Sequence, residues 1–125
     1  MISKTEFDSA KIAKPMLVEF YFNTCPACND NADKVEMVAK EFIATAVVVD
    51  FGYDCKASSY ESWIQKHKPK HPVLNGCDSP ILDGISGYPT TYIVDKDKKI
   101  VFKTVGTWST STMNTIRAKL RALSK

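Results

Sequence analysis

The chain has 125 residues and a mass of 14.0 kDa, room for one hydrophobic core, so a single domain over residues 1–125 is expected. Hydrophobic residues make up 44% and charged residues 25%, with no apolar run near the roughly 18 residues that cross a bilayer, which excludes a disordered or membrane-spanning chain. The net charge of +3 comes from 17 basic and 14 acidic residues. Its lysines are scattered outside Lys66–Lys70 and Lys96–Lys99, a solvated surface rather than a nucleic-acid-binding face.

The predicted elements alternate between strand and helix. A short N-terminal segment, Thr5–Ala13, allows a helix. Met16-Leu17-Val18-Glu19-Phe20-Tyr21-Phe22 is a near-continuous apolar run, the pattern of a strand covered on both faces at the centre of a sheet. Between Pro26 and Ala44, Cys28, Ala32, Val35, Ala39 and Phe42 recur at helical spacing and define one buried stripe. Ala46–Val49, ending at Asp50, reads as a second buried strand.

Residues 51–87 are less regular. A helix is predicted around Ser58–His67, two prolines, Pro69 and Pro72, stop it, and Ser79-Pro80 has the form of a short helix start. Thr90–Val94 and Ile100–Val105 flank the polar turn Asp95-Lys96-Asp97-Lys98 as an antiparallel hairpin. From Ser109 onward, Met113, Ile116, Leu120 and Leu123 mark a closing amphipathic helix. This order calls for an α/β fold with a central sheet and helices on both faces, whose first β-α-β unit is a right-handed parallel crossover.

The chemistry concentrates in Cys25-Pro26-Ala27-Cys28, where the first strand hands over to the long helix. With Cys25 as N-cap and Pro26 at the first helical position, the amides of Ala27 and Cys28 are free to donate to the Cys25 sulfur. That donation and the helix dipole favour a thiolate, the form that attacks disulfides. Cys25 is therefore the expected nucleophile, and Cys28, one turn inside on the buried stripe, the expected resolving thiol. Half of a zinc site is the competing use of this spacing. It lacks a second knuckle: Cys55 and Cys77 are far apart, and His67 and His71 read as surface histidines in a proline-broken basic loop.

Strand, C-x-x-C at a helix start, and later Gly87-Tyr88-Pro89-Thr90 opening a strand together resemble the thioredoxin family over most of the chain. Val18-Glu19-Phe20-Tyr21-Phe22-Asn23-Thr24-Cys25-Pro26-Ala27-Cys28 is similar to that family's active-site strand and turn, and Val105-Gly106 to the glycine step beside its substrate groove. The resemblance implies a thioredoxin-like fold, a central mixed β-sheet flanked by helices, with residues 51–87 as an elaboration between the second core strand and the cis-proline loop. It implies a cis Tyr88–Pro89 bond with Pro89 beside the cysteines, and a Tyr88 backbone that pairs with an extended peptide.

The resemblance also assigns Glu19 as a buried acid beneath the disulfide. Burial would raise its pKa, suiting it to take the Cys28 proton as general base. The alternative is that Glu19 shares a partly wet face with Leu17 and Tyr21. Two departures from the family are plain: Thr24 stands where thioredoxins carry tryptophan, and Pro-Ala stands where they carry Gly-Pro. The second points toward a more oxidising pair.

Cys55 and Cys77 flank the elaborated region, and four cysteines in all make a second, structural disulfide the first reading, worth about 3 kcal/mol through the unfolded state. Two unrelated buried thiols, or a relay pair exchanging with Cys25, are the alternatives. Such a bridge would favour an oxidising, exported compartment such as the bacterial periplasm over the cytoplasm; Met1-Ile2-Ser3-Lys4 is followed by polar sequence rather than the apolar run of a signal peptide, which for an exported protein implies a mature or trimmed chain. Trp108, just after Gly106, is expected to pack the last helix rather than to touch substrate.

The reading is a thiol–disulfide oxidoreductase, a reductase in direction, that needs no cofactor and no metal. Its partners would be proteins carrying disulfides or thiols and a redox partner that regenerates Cys25/Cys28, with the chain acting as a monomer. A non-catalytic binding module on the same fold is the alternative, and a metal-binding domain a more remote one.

Overall fold

A computed structural model describes residues 12–54, 56–76 and 84–124. Strand β1 (Met16–Tyr21) is apolar at nearly every position because both its faces are covered, and all six residues are buried. It pairs in parallel with β2 (Val47–Gly52) and antiparallel with β4 (Thr90–Val94). Outside β2 lies the parallel strand β3 (Val73–Asn75), and outside β4 the antiparallel strand β5 (Ile100–Val105), giving the order β3-β2-β1-β4-β5. Helix α1 (Pro26–Glu41) connects β1 to β2, α2 (Ala57–His67) connects β2 to β3, and α3 (Thr110–Leu123) follows β5.

Strand periodicity assigns the two faces. On one, Leu17, Val48 and Ile93 pack with Val35 and Val38 of α1 and Met113, Ile116 and Leu120 of α3. The same face continues as Tyr21 and Val73, against Cys28 and Ala32 of α1 and Tyr60 and Trp63 of α2. The opposite face carries Met16, Val18, Phe20, Val49 and Leu74, joined by Ile12, Ile85 and Tyr88 from the connecting segments. The helix start at Ser79-Pro80 and most of Thr5–Ala13 lie outside the described residues, and Ile12 and Ala13 are not helical.

The predicted hairpin has the bounds read from the sequence. Asp95 Oδ1 accepts from the amides of Asp97 and Lys99, each at 2.9 Å, and Lys98 takes a φ of 68° to close the turn. Helix α1 ends at Glu41, three residues before the Ala44 bound read from the sequence. Phe42 caps it, and its carbonyl accepts from the amides of Thr45 and Ala46 in a turn that leads into β2. Strand β2 runs two residues past Asp50, and β3 is a strand that three residues after Pro72 were too short to announce.

Trp108 ties the layers together. It is 1% exposed, its Nε1 donates to Thr91 Oγ1 at 2.9 Å, and its amide donates to Asn31 Oδ1 at 2.9 Å. Truncation removes a large buried ring and leaves the Thr91 hydroxyl without its donor. Trp108→Ala is expected to lose about 3–5 kcal/mol of stability in denaturant unfolding; a loss under about 1 kcal/mol would place the ring outside the core.

Candidate active site

The backbone turns from β1 into α1 at Cys25, whose φ of −76° and ψ of 113° are those of an N-cap, with Pro26 in the first turn. Its Sγ accepts from the Cys28 amide at 3.1 Å. Both cysteines are unpaired thiols. Cys25 is 4% exposed and Cys28 fully enclosed. Burial pushes the Cys28 thiol well up, and the hydrogen bond with Cys25 and the charges of Cys25 and Glu19 push the same way.

Two further segments, 88–89 and 106–107, border the Cys25–Cys28 turn. The Tyr88–Pro89 peptide is cis, and the Tyr88 carbonyl lies 3.7 Å from Cys25 Sγ as its acceptor. Gly106 lies one step further out, its amide donating to the Pro89 carbonyl at 2.8 Å with a φ of 100°, a conformation that a side chain would strain. Thr107 Oγ1 donates to the Ala27 carbonyl at 3.2 Å. The Tyr88 ring meets Phe22 edge-on at 5.3 Å and Tyr53 at 5.7 Å, and Tyr53 is 53% exposed. An aromatic lip thus borders Cys25.

Beneath the cysteines Glu19 is 1% exposed, which excludes the partly wet face. Its Oε2 accepts from Asn31 Nδ2 at 2.8 Å, and its Oε1 has no hydrogen-bond partner. Burial pushes its carboxyl well up, the Asp50 charge adds to this, and Asn31 works against it. Asp50 is its registered neighbour on β2. Tyr21, two residues on along the same face, stacks on Trp63 at 4.2 Å, and burial raises its hydroxyl too.

The Cys25 loop is held by a residue that sequence reasoning passed over. Asn29 Nδ2 donates to the carbonyls of Asn23 at 2.9 Å and Cys25 at 2.8 Å, while its Oδ1 meets Lys66 Nζ at 3.0 Å and His67 Nε2 at 2.7 Å. The Asn23 amide donates to Asp54 Oδ2 at 2.7 Å. Asn31 was missed as well, although a polar residue three positions after Cys28, on the side of α1 that faces the core, was the available signal.

The reading of His71 as a surface histidine is wrong. Its ring is enclosed between Asp50 Oδ2, 2.7 Å from Nε2, and Glu36 Oε2, 3.0 Å from Nδ1. The prolines that suggested a loose loop instead carry it along the β2 edge, where the Pro72 carbonyl accepts from the Asp50 amide at 3.0 Å. Cys55 and Cys77, and with them the structural disulfide, lie outside the described residues. Among the described residues no cluster of three or more histidine, cysteine or carboxylate side chains is placed to share a metal. No described helix is long and apolar enough to cross a membrane.

The strand order, the two parallel pairings made by β2, the two antiparallel pairings made by β4, and the C-x-x-C at the start of α1 are those of the thioredoxin fold. Solved structures agree. A protein described as the thiol:disulfide interchange protein DsbE from Chlorobium tepidum superposes with a TM-score of 0.82 at 18% identity, over 94% of this chain and 84% of that one. The thioredoxin domain of a thiol-disulfide oxidoreductase from Bacteroides vulgatus gives 0.75 at 23% identity, over 86% and 80%. A secreted disulfide oxidoreductase from Mycobacterium tuberculosis, homologous to DsbE of E. coli, gives 0.74 at 18% identity, over 89% and 83%. No protein-family model and no curated sequence matches the chain.

Proposed function

We propose that the chain is a thiol–disulfide oxidoreductase acting on protein substrates, as a reductase. Cys25, as thiolate, attacks a substrate disulfide; that S–S bond breaks, one substrate thiolate leaves, and a mixed disulfide forms. Cys28 then gives its proton to the Glu19 carboxylate and attacks the Cys25 sulfur, so that the second substrate thiolate leaves and Cys25 and Cys28 are joined. A redox partner returns two electrons to the pair. Tyr88, Pro89 and Gly106 hold the extended substrate chain, with the Tyr88 backbone as its pairing edge.

The observation that carries this reading is the asymmetry of the two sulfurs. One caps a helix with an amide aimed at it from 3.1 Å, while the other sits enclosed behind it above a buried carboxyl. An enclosed thiol with a raised pKa is a poor opening nucleophile, and it gains reach only once a mixed disulfide is formed beside it. A carboxyl that ionises late is a correspondingly stronger base when it does. Export is the compartment we favour, since structural neighbours include a secreted oxidoreductase and a pneumococcal exposed lipoprotein thioredoxin. A single domain acting as a monomer completes the proposal.

The test is turnover. With dithiothreitol supplied, the chain is expected to accelerate reduction of the interchain disulfides of insulin well above the dithiol alone. Binding of an extended peptide without any acceleration would identify a binding module instead.

A further inference from the structure

Glu19 does not stand alone. In the parallel register of β1 and β2 it lies beside Asp50, so two carboxyl side chains project from adjacent strands onto the face that carries Cys28. Each has one oxygen with no hydrogen-bond partner, Glu19 Oε1 and Asp50 Oδ1. Behind Asp50 the His71 ring is gripped through both nitrogens, at 2.7 Å by Asp50 and 3.0 Å by Glu36. A ring that donates from both nitrogens to carboxylates is an imidazolium. The side chains of His71 and Asp50 are 7% and 3% exposed and that of Glu36 17%, so the array runs from the active-site acid to the surface.

We propose that Asp50 and His71 are positioning residues for disulfide exchange: the Glu36–His71–Asp50 array fixes the charge facing Glu19 and so governs when Glu19 can accept the Cys28 proton. This rests on the oxidoreductase reading above. Two like charges on neighbouring buried carboxyls oppose each other, whereas a cation on one of them relieves that opposition. The two partners therefore act on Glu19 with opposite sign. Asp50 delays its ionisation, and His71, by balancing Asp50, advances it.

The other groups around this pocket are accounted for. Asn31 and Cys28 face Glu19 from α1 and Cys25 from its N-cap, Tyr21 from its own strand, and Thr91 is its uncharged neighbour on β4. On the far side, His67 of α2 feels Asp50 and Asp33, with burial and Lys66 working to keep its ring neutral. For His71 burial opposes the charged ring, but Asp50 and Glu36 outweigh it and raise its pKa. No cation other than His71 forms an ion pair with Asp50 among the described residues.

The experiment isolates the resolving step. The reduced full-length chain is mixed with dithiobis-nitrobenzoate: Cys25 attack releases one aryl thiolate, and Cys28 attack on the resulting mixed disulfide releases a second. The signal is the second release, defined as that which Cys28→Ser removes, and its rate is followed against pH. The midpoint is expected to fall in Asp50→Asn and to rise in His71→Gln, by about one pH unit or more in each direction. Glu36→Gln, at the exposed end and least disruptive of folding, should follow His71→Gln with a smaller rise.

Midpoints that coincide with the wild type in all three variants, or that move in one common direction, would overturn the array's role. A merely structural array would lower rates without splitting the midpoints. Absence of any Cys28-dependent release, read by comparing the wild type with Cys28→Ser alone, would overturn the oxidoreductase reading itself, a failure visible before any variant of the array is made.

Discussion

Cys25→Ser is expected to abolish disulfide reduction, lowering turnover by about three orders of magnitude or more, because the other cysteine among the described residues, Cys28, is fully enclosed. Cys28→Ser should behave differently. It retains the attacking sulfur and the cis Tyr88–Pro89 edge but lacks the thiol that completes the exchange, so it should accumulate mixed disulfides with protein substrates that survive non-reducing electrophoresis and vanish on reduction. The difference arises from placement: Cys25 lies at the helix cap beside the Tyr88 carbonyl, and Cys28 is fully enclosed one turn deeper. Equal loss in both variants with no trapped adduct would contradict the division of labour. So would trapping by Cys25→Ser in place of Cys28→Ser.

Glu19→Gln is expected to move activity and stability in opposite directions. The substitution keeps the side-chain shape and an oxygen to accept from Asn31, but removes the proton acceptor beneath Cys28, which should slow the resolving step by about a hundred-fold. Its effect on stability follows from linkage. The folded state holds the Glu19 carboxyl protonated well above the ordinary value of 4.5, so between that value and its folded-state pKa the unfolded chain binds fewer protons than the folded one. Stability then falls as pH rises through that window. Glutamine cannot ionise, so the variant should unfold at a higher temperature than the wild type at neutral pH and show no advantage below pH of about 4. A variant less stable at neutral pH would mean that the carboxylate is needed for the fold.

Much of this site was legible in the sequence because it rests on local rules. A cysteine before proline at the junction of an apolar run and a helical stripe marks an N-cap, and the Asp-rich polar turn between Thr90–Val94 and Ile100–Val105 states its own hairpin. Glu19 was visible as a charge inside a strand with no polar face. The cross-strand partners were not. Asp50 reads as the end of an apolar run, and only the register of β1 against β2 sets it beside Glu19. His71 sits between two prolines in a lysine-rich stretch, a composition that describes exposed loops. Its burial comes from Asp50 and Glu36, 21 and 35 positions away, a distance over which a single sequence carries no pairing signal. Asn29 and Asn31 look like ordinary polar helix residues until the carbonyls of the Cys25 loop and the Glu19 carboxyl are placed around them.

Cys25 and Cys28 are expected to form a single reversible two-electron couple. The direct measurement equilibrates the chain in glutathione buffers of graded ratio, quenches with acid, alkylates the remaining thiols and assigns the products by peptide mass. The expected result is one transition in which a disulfide joins residues 25 and 28 and reverts completely on the reducing side. A pair that stays dithiol at every ratio, or a Cys25 that ends as a stable glutathione adduct while Cys28 remains free, would contradict it.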